Sequence, residues 1–191
     1  MTDPREYYER ALAQTEQIVS AVRPDQLGNP TPCTEFEVRA LVNHIVGGIT
    51  RAAITGEGGD AVAFSGRVDG VPDDGWADAY NAVAKRATAA WSDDGRLAAM
   101  VTVPWGTVPG RVALSGAVQE VLTHGWDLAT ATGQESEGDP ELATWVLEEF
   151  AHRALPPERR GGPVPFGPVV PVPAEAGPYA QLAAWLGRGT S

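Results

Sequence analysis

Apolar residues recur at the helical period along most of the chain. Over residues 5–22, Tyr8, Leu12, Thr15, Val19 and Val22 fall at three- and four-residue steps, which predicts an amphipathic helix that Pro24 stops. Residues 24–33 are rich in turn formers. A second stripe, Val38, Leu41, Val42, Ile45, Val46 and Ile49, predicts another helix. Thr34 with Glu37 three residues on reads as a capping box at its start, with Cys33 and Val38 placed as a hydrophobic staple. Gly56 to Gly59 read as its end. Residues 56–75, rich in Gly and Asp, read as a loop.

Trp76, Tyr80, Val83, Ala87 and Trp91 predict a third helix capped by Asp74. Residues 97–110 hold Met100-Val101-Thr102-Val103, then Pro104, Gly106, Pro109 and Gly110, and read as an irregular crossover with at most a short strand. Leu114, Val118, Val121, Gly125 and Leu128 share one face of a fourth helix over about 111–132. Asp139-Pro140 supplies an N-cap and first-turn proline for a fifth, 140–154. The proline-dense stretch 155–178 forbids a helix and predicts an extended strap, and a short helix, 178–187, closes the chain. Four long amphipathic helices joined by loops too long for simple hairpins predict an all-α four-helix bundle with a crossover connection. Residues 1–155 form the bundle domain in this reading. Residues 156–191 form a proline-rich strap and short C-terminal helix packed on it.

Composition narrows the function. With 191 residues, 43% of them hydrophobic, the chain can bury a core without a disulfide or metal to hold it. Twenty-five acids against fourteen bases give a net charge of −11, which argues against nucleic acid and against an anionic membrane. The start, Met1-Thr2-Asp3-Pro4-Arg5, lacks the order of a signal peptide, and a single cysteine permits no internal disulfide. A cytoplasmic protein is expected. Arg supplies all the bases but Lys85, and Ala, Gly, Val and Pro abound, a bias of GC-rich bacterial genomes.

The histidines carry the chemistry. Glu120 and His124 are four apart on the fourth helix, one above the other on the shoulder of the apolar stripe. His44 falls on the equivalent shoulder of the second helix, roughly 60° from Leu41. Donors facing inward from two helices are how bundles build metal sites, and two imidazoles with one carboxylate suit zinc with an open fourth position. Spacing alone leaves a second reading open, in which Glu120 and His124 form a partly exposed ion pair and His44 is a core-edge histidine bonded to a carbonyl.

Two runs decide between them by resemblance. Thr31-Pro32-Cys33-Thr34-Glu35-Phe36-Glu37-Val38-Arg39-Ala40-Leu41-Val42-Asn43-His44-Ile45-Val46-Gly47-Gly48 resembles the second-helix motif of the mycothiol-dependent maleylpyruvate isomerase N-terminal-domain family of actinobacteria. That family lies in the DinB/YfiT-like superfamily of metal-binding four-helix bundles. Gln119-Glu120-Val121-Leu122-Thr123-His124-Gly125-Trp126-Asp127-Leu128-Ala129 is similar to its metal-binding fourth helix. Phe166-Gly167-Pro168 through Val172-Pro173, then Leu186-Gly187-Arg188, resemble the tail of its small stand-alone members. The resemblance implies a divalent metal, zinc before nickel or another ion, held by His44, Glu120 and His124. It also implies mycothiol as co-substrate. The isomerase's second, substrate-binding domain has no counterpart here, so isomerisation of maleylpyruvate itself is not expected.

The function expected is therefore a thiol-dependent transferase or isomerase acting on a small-molecule thiol and an electrophile, as monomer or homodimer. The alternatives are a non-catalytic metal-bound binding module and a metal-dependent hydrolase. Asp127, three residues beyond His124, is the candidate to accept a ligand imidazole's free N–H, with a solvated helix-surface carboxylate as the other reading. Trp126 is a packing residue or a pocket wall. His152 reads as a partner of helix-end carbonyls, and Asn43 as a surface residue. Cys33 is either a small packing residue or a rival nucleophile at a helix start.

Overall fold

The computed structural model describes residues 2–156 and 166–189. Helix α1 (Pro4–Ser20) begins where Asp3 accepts the Arg5 amide and Pro4 takes the first helical position. It buries Tyr8, Leu12, Thr15 and Val19, the expected stripe, and ends before Val22. Helix α2 (Val38–Glu57) ends at Gly58, whose φ of +78° is a left-handed cap. Helix α3 runs Trp76–Ala90, and α5 runs Gly110–Thr132 to a second left-handed cap at Gly133. These four long helices close a ring in which α1 and α2 each pack on both α3 and α5. Successive members α1 and α2 stand across one diagonal, as do α3 and α5. The connections therefore cross over, as the loop lengths require. Their shared interior holds the fully buried Tyr8, Leu41, Ile49, Tyr80, Leu114 and Leu128.

Three local expectations are corrected. The capping box at Thr34 does not form, because α2 begins at Val38 with Glu37 as a cap that makes no side-chain bond. The first amides of α2 are satisfied by tertiary contacts instead: Val38 donates to the Asn29 carbonyl and Arg39 to that of Leu27. Residues 33–36 form a turn, held by the Thr31 hydroxyl donating to the Cys33 and Phe36 carbonyls. With α2 starting at Val38, Cys33 and Val38 no longer occupy the positions that flank a helix start as a staple. Helix α3 is capped by Gly75 rather than Asp74.

The third correction concerns 97–110, which is more ordered than the sequence suggests. Helix α4 (Asp94–Ala98), capped by Asp93, leads into an antiparallel hairpin of β1 (Met100–Val103) and β2 (Gly106–Pro109). Met100 pairs with Pro109 and Val103 with Gly106. Val101 and Val103 face the core while Met100 and Thr102 face out, the period of two a half-buried strand requires.

The C-terminal region packs onto this frame. Helix α6 (Pro140–Trp145) passes through a π-helical turn (Val146–Ala151) into α7 (His152–Ala154), covering the expected 140–154. Helix α8 (Pro178–Trp185) lies against α6 and α5. The Glu137 carboxylate caps its start by accepting the Tyr179 and Ala180 amides. Residues 166–177 run without helix or strand, as a proline-rich strap should, and strap residues 157–165 lie outside the described residues. Among the described residues, no helix is long and apolar enough to cross a membrane.

Candidate metal centre

His44 sits at the end of the second turn of α2, and Glu120 and His124 lie one turn apart on α5. Because α2 and α5 pack directly, the three side chains meet. Nε2 of His44 lies 2.9 Å from Oε1 of Glu120, and Nε2 of His124 lies 3.4 Å from the same oxygen. The imidazoles stand perpendicular, with centroids 4.7 Å apart. One donor atom from each residue falls within 4.8 Å of the others. Two ring nitrogens therefore converge on one carboxylate oxygen from separate helices.

The cluster has an open side and a closed side. The Glu120 side chain is 40% exposed and that of His44 28%, whereas His124 is 8% exposed. On the closed side, Nδ1 of His124 donates to Oδ2 of Asp127 at 3.0 Å. Asp127 is wholly buried, so it is not a surface carboxylate. That bond fixes the ring and leaves Nε2 turned to the open side. Phe36 stacks on His44 at 4.9 Å and meets His124 edge-on at 6.5 Å, roofing both rings. The Asn43 side chain brackets Val68, donating to its carbonyl and accepting its amide, and so pins the 58–75 loop beside α2.

Electrostatics follow this geometry. Burial resists ionisation of Glu120, but the charges and hydrogen bonds of His124 and His44 outweigh it and hold the carboxyl well below its usual range. Burial likewise resists charging His124, yet Glu120 and Asp127 raise its pKa to about 9. Free of metal, the cluster is thus a proton-bridged ion pair. A divalent ion would replace those protons.

Cys33, swung in by the 33–36 turn, forms a second group with His124 and Asp127 in which the donor atoms again lie within 4.8 Å. It is half-buried, and burial pushes its thiol pKa up while the nearby Arg188 charge pulls it down. A raised thiol pKa lowers the fraction of reactive thiolate at neutral pH. Trp126 is buried in the core, two residues and so about 200° around α5 from His124. His152 meets the Trp185 ring edge-on at 4.4 Å, away from the cluster. Two neighbours were not singled out from sequence. Phe36 lies within the second-helix run, and its position two residues before α2 gave no period to read. Arg188 stands 61 residues from its partner Asp127, beyond any local pattern.

Fit to a metal can be judged on the donors. Two neutral imidazoles, one oriented by a buried carboxylate, plus one carboxylate reachable from solvent make the set that leaves a fourth position of zinc open.

Comparison with known proteins identifies the family. Residues 8–129 match the family model of the mycothiol maleylpyruvate isomerase N-terminal domain. Uncharacterized proteins from two strains of Mycobacterium tuberculosis are each 40% identical over 187 residues, 97% of this chain and 98% of theirs. The crystal structure of a mutant of the mycothiol-dependent maleylpyruvate isomerase superposes with a TM-score of 0.60 at 16% identity, covering 78% of this chain and 67% of that one. The family match spans most of α1 through α5, and the chain belongs to the mycothiol maleylpyruvate isomerase N-terminal domain family.

Proposed function

We propose that this protein binds one divalent ion, zinc in the first instance, through His44, Glu120 and His124, and uses it to activate a small thiol such as mycothiol. The observation that carries the reading is the convergence of two imidazole Nε2 atoms on one Glu120 oxygen, 2.9 and 3.4 Å away. Family membership supports the thiol. An ion held by these three residues would supply the charge that keeps a bound thiol as its thiolate, a nucleophile at neutral pH. The chain's own residues then have distinct tasks. His44 and His124 give neutral nitrogens, Glu120 gives a charge that partly offsets the ion, and Asp127 keeps the His124 ring aligned. Phe36 shields one face of the pair from water.

Attack of the thiolate on a carbon bearing a leaving group would form the C–S bond as the bond to the leaving group breaks, giving thiol transfer. Addition to a conjugated C=C, with the electron pair taken up by the adjacent carbonyl and returned to re-form the double bond as the thiolate departs, would give isomerisation. The exposed edge at Glu120 and His44 is where such partners reach the site. A fourth His or Cys beside those two would close the site, as in a structural zinc centre. The neighbouring Cys33 groups with His124 and Asp127 rather than with His44 and Glu120. We read residues 1–155 as the metal-binding unit and 156–191 as an appendage to it.

The test is a screen of the zinc-loaded protein with mycothiol and a panel of electrophiles, following loss of free thiol. Turnover that needs both zinc and mycothiol, and that disappears in His124→Ala, is the expected result. Zinc binding with no thiol consumption across the panel would favour a non-catalytic module.

A further inference from the structure

We propose that Arg188, from the C-terminal tail, is a positioning residue for the metal ligand His124, acting through Asp127. The inference rests on the metal reading above but concerns a residue that the family match, ending at residue 129, does not reach.

The tail is built to deliver this side chain. Helix α8 ends in a double-bonded cap: the Gly187 amide donates to the Ala184 carbonyl and the Arg188 amide to that of Ala183. Gly187 takes a φ of +82°, and a Cβ there would meet Gly167 backbone atoms at 2.9–3.0 Å. Glycine is required both by the turn and by the strap that crosses it. The turn sends Arg188 back toward α5, where its guanidinium lies over the Phe166 ring at 5.8 Å and donates to the Leu186 carbonyl at 3.1 Å.

Arg188 is 8% exposed, an unusual burial for arginine without a charged partner. Its partner is the fully buried Asp127. Nε donates to Oδ1 at 3.4 Å and Nη2 to Oδ2 at 3.3 Å, a two-point fork. Oδ2 also accepts Nδ1–H of His124 at 3.0 Å. The carboxylate is thereby held from one side by the tail and presented to the imidazole on the other. A carboxylate free to rotate would not keep Nε2 of His124 aimed at Glu120. Lysine, a point charge without the fork, would hold it less well.

Zinc affinity, measured by competition with a chromogenic chelator, tests this across Arg188→Gln, Arg188→Lys, Asp127→Asn and the Asp127→Asn/Arg188→Gln double variant. Arg188→Gln should weaken binding by roughly 10–100-fold, the usual cost of losing a partner behind a ligand. Arg188→Lys should fall between it and wild type. Once Asp127 is Asn, removing Arg188 should cost no further affinity. The double variant, with no unpaired buried charge, should melt closer to wild type than Arg188→Gln does.

Recovery of zinc affinity along with melting temperature in the double variant would reduce Arg188 to a structural role and overturn the proposal. So would wild-type affinity in Arg188→Gln. Should the wild type bind no zinc, the metal reading fails separately. The positioning of His124 is then read from its Nδ1–H resonance in the 15N-labelled protein. That proton should exchange slowly in wild type and fast in Arg188→Gln, and equal exchange would overturn the inference.

Discussion

The two sides of the His124 ring obey different physics. Nε2 faces Glu120 and His44, whose side chains are 40% and 28% exposed, while Nδ1 faces Asp127 and Arg188, at 0% and 9%. On the open side a proton, a metal ion and solvent compete for the same atoms, and less of the fold depends on who wins than on the closed side. On the closed side two charges are sealed together, and neither has water to turn to if the other is removed. One imidazole thus joins an exchangeable site to a fixed support. Substitutions on the two sides should therefore separate stability from ligand binding.

The largest stability effect belongs to the closed side. Asp127→Ala leaves the Arg188 guanidinium buried without its carboxylate, and should cost about 3–5 kcal/mol in urea denaturation. A loss under about 1 kcal/mol would mean that Arg188 finds other partners and the seal is not tight.

The open side should show the reverse. Glu120→Gln keeps the size of the side chain but removes the charge facing the ion. It should weaken zinc binding by more than the roughly 10–100-fold expected of partners behind a ligand. Its metal-free melting temperature should fall, but by less than that of Asp127→Ala, because Glu120 is 40% exposed and its pairing with His124 is partly screened by solvent. Calorimetric titration beside a thermal melt measures both, and the comparison breaks if stability falls while affinity holds.

pH sharpens the distinction. In the metal-free protein His124 is raised from 6.5 to about 9, so its pairing stabilises the fold fully below pH 6.5 and is lost as pH rises through about 9. Glu120 lies well below its ordinary value of 4.5, so its contribution is present above pH 4.5 and fades only under stronger acid. Metal-free stability should accordingly decline between pH 6.5 and about 9. Zinc affinity should climb over the same range, because the proton leaving His124 no longer competes. Parallel trends in the two quantities would contradict the cluster.

Cys33 offers the smallest effect. Cys33→Ala removes a half-buried thiol beside Asp127 and should cost about 1 kcal/mol, with zinc affinity unchanged. Loss of zinc in this variant would move Cys33 into the coordination set.

The same division separates what could be read from the sequence. His44, Glu120 and Asp127 lie on helices whose period places them relative to known apolar stripes, so their faces follow from spacing. The start of α2 did not follow. Its amides are satisfied by the Leu27 and Asn29 carbonyls, tertiary partners that a local capping rule does not see. The hairpin at 100–109 was obscured because four-residue strands give too few alternations to outweigh Pro104 and Gly106. Arg188 was visible as part of a tail motif, but its partner is 61 residues away, and a long-range buried ion pair leaves no periodic trace.

Zinc titration of the wild type against His44→Ala/His124→Ala tests the central claim most directly. The account predicts about one ion per chain for the wild type and none at that site for the double variant, with helical circular dichroism retained in both. Equal occupancy in the two proteins, or no binding by the wild type at neutral pH, would contradict it.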